Sequence, residues 1–225
     1  MPSKNTIRKF VEGGVYHIYN RGVEKRNIFL DEQDYNIFLY YLRTYLTPPD
    51  NKKKIPFNIL RLGPDFNLYT NIDLLCYALM PNHFHFLIKQ VSKDAMTELM
   101  KRLTSAYVKY FNDKYKRVGP LFQGRYKSVL VLKDEYLMRL SFYIHTNPVE
   151  IIKYSDTRKL EDYSYSSYPD YIGKRNTSWI NKDCILNCIE EKNKFAAYEK
   201  TLKGFLLDSQ KFNKDNEKLK LFLLD

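Results

Sequence analysis

Residues 79–88, Leu79-Met80-Pro81-Asn82-His83-Phe84-His85-Phe86-Leu87-Ile88, constrain the fold of this chain more than any other stretch. Pro81-Asn82 suits a tight turn, and after it apolar and polar side chains alternate with a period of two over an aromatic and β-branched run. That is the pattern of a half-buried strand. His83 and His85 therefore project from one face while Phe84, Phe86 and Ile88 project from the other. The preceding run, Ile72 to Met80, reads as a partner strand, so the two make an antiparallel hairpin whose return strand begins with the histidines. Two imidazoles on one face suit a metal, because histidine is the commonest side-chain ligand and an i, i+2 pair needs only one or two outside ligands. Taken alone, a His-x-His is read first as a surface or hydrogen-bonded pair on a sheet.

The only other histidines are His17 and His145. His145 lies in a run that Asp134 can begin as a helix over 134–147, where Tyr136, Leu137, Leu140, Tyr143 and Ile144 recur at helical spacing. In that helix Tyr143 and Asn147 are four apart and share a face, which puts a phenol and a metal-capable amide together. Spacing alone favours Tyr143 as a core residue of the apolar stripe. Pro148, in addition, should push Asn147 out of the helical region.

In chain order, Gly13-Gly14 leads into a strand with Val15, His17 and Tyr19 on one face and Tyr16 and Ile18 on the other. His17 either looks toward the histidine pair or hydrogen-bonds within the sheet, and the second reading is favoured. Asp31 can cap a helix over 31–46 with a stripe of Tyr35, Phe38, Leu39, Leu42 and Leu46, stopped by Pro48-Pro49. Residues 48–70 form a basic, proline-containing loop insertion, read equally as a DNA-contacting loop or a variable surface excursion. A helix over 94–115 buries Met96, Leu99, Met100, Leu103, Ala106, Tyr107 and Tyr110 and carries Lys101, Arg102, Lys109 and Lys114 on its other face. It leads through Arg117-Val118-Gly119-Pro120 into Gln123-Gly124-Arg125-Tyr126-Lys127 and a fourth strand over 126–132. Basic residues interleaved with aromatics suit single-stranded nucleic acid, since cations track phosphates while rings stack on bases at about 1–3 kcal/mol each. Arg125 and Lys127 are the first candidates for phosphate contact, joined by Arg117 and by Arg21 at the end of the first strand.

The order strand, helix, strand, strand, helix, strand, helix predicts an α+β fold with a ferredoxin-like antiparallel sheet flanked by helices. The third long helix then lies on the remaining side of the sheet and brings Tyr143 toward His83 and His85. A catalytic domain is expected over 1–172 and a C-terminal helical appendage over 173–225, with two helices after residue 180.

Charge points to the partner. The 37 Lys and Arg outnumber the 26 Asp and Glu, giving +11 and a pI near 9.3, which suits a polyanion. With 44% apolar and 16% aromatic residues, the 225-residue chain is no disordered polycation and can bury a real core. No apolar run approaches about 18 residues and the amino terminus lacks a signal-peptide core, which argues against membrane and secretion. Cys76, Cys184 and Cys188 form no paired framework and no C-x-x-C, as expected of a protein in a reducing cytoplasm. Cys184 and Cys188, one helical turn apart, read as buried helix cysteines rather than half of a zinc site.

Four blocks carry a family resemblance. Met80-Pro81-Asn82-His83-Phe84-His85-Phe86-Leu87-Ile88 resembles the histidine-hydrophobic-histidine motif of HUH single-strand nucleases. Tyr143-Ile144-His145-Thr146-Asn147-Pro148-Val149 resembles the tyrosine segment of single-tyrosine transposases, most closely the REP-associated branch. Gly14-Val15-Tyr16-His17-Ile18-Tyr19-Asn20-Arg21-Gly22 and Gly119-Pro120-Leu121-Phe122-Gln123-Gly124-Arg125-Tyr126-Lys127 resemble two further blocks of that branch, in the right order, so the likeness spans about residues 10–172. The resemblance implies the HUH nuclease fold and a bacterial, cytoplasmic, nucleoid-associated protein acting on single-stranded DNA, notably hairpin-forming repeats, as a monomer or homodimer. It implies Tyr143 as the nucleophile and His83, His85 and Asn147 as ligands of a divalent cation. Attack would leave a 5′-phosphotyrosine and a free 3′-hydroxyl.

A tyrosine hydroxyl with a pKa of about 10 is a poor nucleophile at neutral pH, which is where a cation on the scissile phosphate helps. Two imidazoles and an amide are soft for magnesium, so Mg2+ or Mn2+ is expected with water and phosphate oxygens completing the shell, and zinc stays open. Two other classes fit parts of the sequence. The charge and tyrosines suffice for a non-catalytic single-stranded nucleic-acid binding protein, and the two histidines for a metal-dependent hydrolytic nuclease.

Overall fold

The computed structural model describes residues 10–48, 67–152 and 158–212. Strands β1 (Val15–Arg21), β2 (Ile72–Met80), β3 (His83–Gln90) and β4 (Lys127–Val131) form one sheet in the order β2-β3-β1-β4, with every neighbouring pair antiparallel. Helices α1 (Glu32–Leu46) and α2 (Ala95–Tyr115) pack together over one face, and α3 (Asp134–Thr146) lies against β2 and β3 on the other. Four short helical turns, α4 (Val149–Ile152), α5 (Arg158–Glu161), α6 (Tyr168–Tyr171) and α7 (Asp183–Leu186), lead to a final long helix, α8 (Lys194–Phe212). This is the expected ferredoxin-like α+β sandwich with a helical C-terminal region.

Local chemistry sets the helix ends. Asp31 Oδ1 accepts the Asp34 N–H at 3.1 Å, and Asp34 Oδ2 accepts the Asp31 N–H at 3.4 Å, a reciprocal capping box at the start of α1. Asp34 is fully buried and also accepts from Tyr110 Oη (2.9 Å), Tyr115 Oη (2.8 Å) and Lys114 Nζ (2.8 Å), so the cap of α1 is tied to the far end of α2. At the near end of α2, the buried Gln90 Oε1 accepts the Met96 N–H at 3.1 Å.

The two faces of the sheet bury different cores. Tyr16, Ile18, Phe84, Phe86 and Ile88 join Phe38, Leu42, Leu103 and Tyr107 beneath α1 and α2. Leu87 and Ala78 join Phe142, Ile144, Tyr171, Tyr198 and Leu202 beneath α3 and α8. A bulge in β2 shifts the register between Leu74 and Cys76, so that Leu74 faces the first core while both Leu75 and Cys76 face the second.

Three expectations need correcting. Asn147 is helical, with φ −49° and ψ −42°, despite preceding Pro148. Proline has no N–H to give Ile144 O, and the Asn147 N–H reaches both Tyr143 O (3.2 Å) and Ile144 O (3.4 Å), so the last turn closes without it. Cys184 and Cys188 are not a buried helical pair: α7 ends at Leu186, Cys184 is half-buried and Cys188 is exposed. Of the two helices expected after residue 180, the first is only the single turn α7, because Cys188, Glu190 and Glu191 leave no apolar stripe to hold it. Most of the 48–70 loop and the chain after residue 212 lie outside the described residues. The segment from 173 packs into the second core through Ile185, Leu186, Tyr198, Leu202 and Leu206.

Candidate active site

The segment between β1 and α1 folds over the Pro81-Asn82 turn and fixes where β3 begins. Gly22 N–H donates to Asn82 O (2.9 Å), and the Ile28 and Phe29 N–H groups both donate to Pro81 O (2.7 and 3.0 Å). A Cβ on Gly22 would lie 2.2 Å from Arg26 O, so this close approach needs glycine. Glu24 and Lys25 pass through the left-handed region (φ 57° and 60°), and Lys25 O accepts from Asn82 Nδ2 at 3.2 Å.

That last bond decides the chemistry of His83. With Nδ2 of Asn82 spent on Lys25 O, its Oδ1 is the atom facing His83, 2.6 Å from Nδ1. An amide oxygen can only accept, so His83 carries its proton on Nδ1 and presents Nε2 as a lone pair. His85 reaches the same state differently. Its Nδ1 lies 2.9 Å from His17 Nε2, while its buried Nε2 has no hydrogen-bond partner among the described residues. A buried N–H without an acceptor is rarer than an unused acceptor, so the proton belongs on Nδ1, leaving Nε2 bare.

The rings of His83 and His85 stand perpendicular with centroids 5.0 Å apart. Burial lowers the pKa of His17 to about 3 and, with the Arg21 charge adding and an Asn147 hydrogen bond opposing, that of His83 to about 4. His85 is pushed well below its usual value by burial, with His17, His83 and Arg21 acting in the same direction. All three are neutral near pH 7, the state in which imidazole binds metals.

Helix α3 crosses this face so that the half-buried Tyr143 ring meets His85 edge-on at 5.5 Å and His17 at 6.1 Å. One turn later Asn147 Nδ2 donates to Tyr143 O at 2.8 Å, and the same side chain hydrogen-bonds toward His83. His83, His85, Tyr143 and Asn147 therefore come together. The donor set fits a divalent cation: an orphaned buried lone pair stands beside a second one and an amide. Among the described residues there is no group of three or more His, Cys, Asp or Glu that could hold a metal, so water or substrate oxygens would have to complete such a shell.

The candidate cations divide. Arg21, half-buried, ends β1 opposite His83, and Lys127 Nζ sits 5.8 Å from the Tyr19 ring, which stacks on His17 at 4.9 Å. Arg125 is exposed in a connection pinned by Asn20 Nδ2 donating to Gly124 O (3.1 Å). Arg117 is engaged elsewhere: it donates to Asn112 Oδ1 at 3.2 Å and lies 5.7 Å over Phe111, at the end of α2.

Sequence reasoning left Asn82 and Tyr19 without a role and favoured a bond within the sheet for His17 over a place beside the histidine pair, whereas His17 bonds His85 itself. The shared parity of Val15, His17 and Tyr19 was the available signal. Pairing β1 with β3 sets Tyr19 opposite His85 and His17 diagonal to it. His145, the fourth histidine, is buried away from Tyr143, bonded through Nδ1 to Tyr198 Oη (2.8 Å) and through Nε2 to Ser167 Oγ (2.7 Å).

A four-stranded antiparallel sheet carries two histidines on one face with the Tyr143 helix laid across them. Residues 60–147, which hold β2, β3, α2, β4 and α3, match the family model described as IS200-like transposase, and over that stretch the resemblance to single-tyrosine transposases holds. The match supports a transposase role. Among solved structures the chain is similar to a REP-associated tyrosine transposase bound to a REP hairpin, with 13% identity and a TM-score of 0.49 over 80% of this chain and 98% of that one. It is also similar to a putative transposase from Deinococcus radiodurans R1, with 15% identity and a TM-score of 0.37 over 64% of this chain and 97% of that one. No curated protein matches the sequence. No described helix is long and apolar enough to cross a membrane.

Proposed function

We propose that the protein nicks and rejoins single-stranded DNA by transesterification, with Tyr143 as nucleophile and His83, His85 and Asn147 as ligands of Mn2+ or Mg2+. The observation that carries this reading is the buried, unpartnered Nε2 of His85 beside His83, on the face that Tyr143 covers. When bound, the cation supplies Lewis-acid polarisation of the scissile phosphate.

The remaining work falls to the chain's own residues. Tyr143 Oη bonds to phosphorus as the bond from phosphorus to the 3′-oxygen of the preceding nucleotide breaks. The phenolic proton passes to solvent, and the departing 3′-oxygen takes one up. One phosphodiester is exchanged for another, so the step can run backwards and rejoin strands. Arg21, next to the histidines, offers charge to a phosphate oxygen, while Arg125 and Lys127 follow the flanking backbone. Hairpin-forming repeats are the substrate to try first, because the four sequence blocks are most like the REP-associated branch.

The test uses the full chain with Mn2+ and single-stranded oligonucleotides, labelled at either end, taken from repeats flanking its own gene. Wild type should give a metal-dependent, SDS-stable adduct carrying the DNA 3′ to the cut, and Tyr143→Phe none. Cleavage without an adduct would replace this reading with a hydrolytic nuclease. Binding alone, equal in Tyr143→Phe, would replace it with a non-catalytic binding protein.

A further inference from the structure

We infer that His17 is a positioning residue for the cation site: by accepting the Nδ1 proton of His85 it holds that imidazole in the tautomer whose Nε2 can bind a metal. This rests on the reading of His83 and His85 as ligands. The bond spans 2.9 Å between His17 Nε2 and His85 Nδ1, with both side chains buried. The rings lie nearly parallel, 15° apart with centroids at 5.1 Å.

The opposite proton arrangement is the instructive one. Were His17 to donate instead, the His85 proton would move to Nε2, where it meets no acceptor among the described residues and occupies the lone pair a metal needs. His17 has little freedom to choose another partner. It is stacked on Tyr19 at 4.9 Å and flanked edge-on by Tyr143 at 6.1 Å. His83 has its own orienting acceptor in Asn82 Oδ1, so each imidazole is held from its Nδ1 side by a different neighbour. Outer partners of this kind, when removed, typically cost about 10–100-fold in metal affinity. Because His17 also touches Tyr143, one side chain orients a ligand and lines the ring of the nucleophile.

The experiment titrates the full chain with Mn2+ and reads the free-ion signal by electron paramagnetic resonance, with no DNA present. Wild type, His85→Ala, His17→Phe and His17→Gln are compared. Phenylalanine keeps a flat ring in the stack and removes the acceptor, whereas glutamine returns an acceptor oxygen. His17→Phe should bind Mn2+ about 10–100-fold more weakly, and His17→Gln should recover most of that loss. In metal-free wild type, 15N chemical shifts of the histidine side chains should show His85 protonated on Nδ1, a measurement that needs no variant to fold.

Wild-type affinity in His17→Phe, or a His85 proton on Nε2, overturns the role of His17 while leaving the cation site standing. If Mn2+ binding is indifferent to His85→Ala, the cation site itself falls and the role of His17 falls with it.

Discussion

Phe84 and Phe86 leave β3 in one direction and His83 and His85 in the other, and the two faces of the sheet follow different physical rules. Beneath α1 and α2, Phe86 packs against Phe84 (4.7 Å) and Phe38 (6.1 Å), and the adjoining Tyr107 hydroxyl donates to Ile28 O, so what that face contributes is apolar area and shape. Beneath α3 and α8 the buried residues include His17, His85, His145, Ser141 and Ser167, and their burial is tolerable only where each polar atom finds a partner. On this face Nε2 of His85 finds none among the described residues. Buried polar atoms without partners occur on the first face too, at Tyr45 Oη and Gln90 Nε2, but the orphan on the second face is a metal-capable imidazole nitrogen whose ring meets the Tyr143 ring.

The comparison is put to its hardest test by Phe86→Ala. Deleting a fully buried phenylalanine from a packed core costs about 3–5 kcal/mol, more than loss of a single polar group on the histidine face should. Urea denaturation checks it, and a loss under about 1 kcal/mol would mean that the first face does not carry the stability assigned to it.

A smaller effect is expected from Tyr198→Phe on the second face. Ser141 Oγ donates to Met138 O (2.7 Å), so it accepts from Tyr198 Oη (2.8 Å), which in turn accepts from His145 Nδ1 (2.8 Å). Losing the one hydroxyl leaves the buried His145 Nδ1–H without an acceptor and Ser141 Oγ with only its bond to Met138 O, at a cost of about 1–3 kcal/mol in the same denaturation assay. A neutral result would show that the second face tolerates unpaired polar atoms generally, and His85 would cease to be special.

Much of this contrast was legible in the sequence, because strand parity is a local property. The alternation from His83 to Ile88 sorted the ring systems onto the correct faces, and Asp31 announced its helix by its own side-chain chemistry. What escaped was set by partners distant in sequence. Nothing near His17 reveals that His85, 68 residues on, will accept its company, nor does His145 disclose Tyr198, 53 residues later. The bulge between Leu74 and Cys76 was hidden for a different reason: after Asp73 the run from Leu74 to Met80 has no charged residue to betray a slipped parity. Asn147 was misjudged because the steric bias of a residue before proline is a preference, and here Asn147 is held in the helical region by bonds from both its N–H and its Nδ2 to Tyr143 O.

The mildest change in stability is expected at the residue with the sharpest functional role. In His85→Phe an aromatic ring of comparable size replaces the imidazole, and the orphaned Nε2 is removed with it. His17 Nε2 then loses its partner, so one unmet polar atom is exchanged for another and metal-free stability should change by no more than about 1 kcal/mol. Mn2+ separates the two proteins. A ligand that binds only the folded state at about 100 times its dissociation constant adds about 2.7 kcal/mol, so melting of the wild type should rise with Mn2+ while that of His85→Phe stays fixed. Equal responses would show that the lone pair at His85 is not where the ion binds, and a large metal-free loss would show that the second face is held together by its histidines after all.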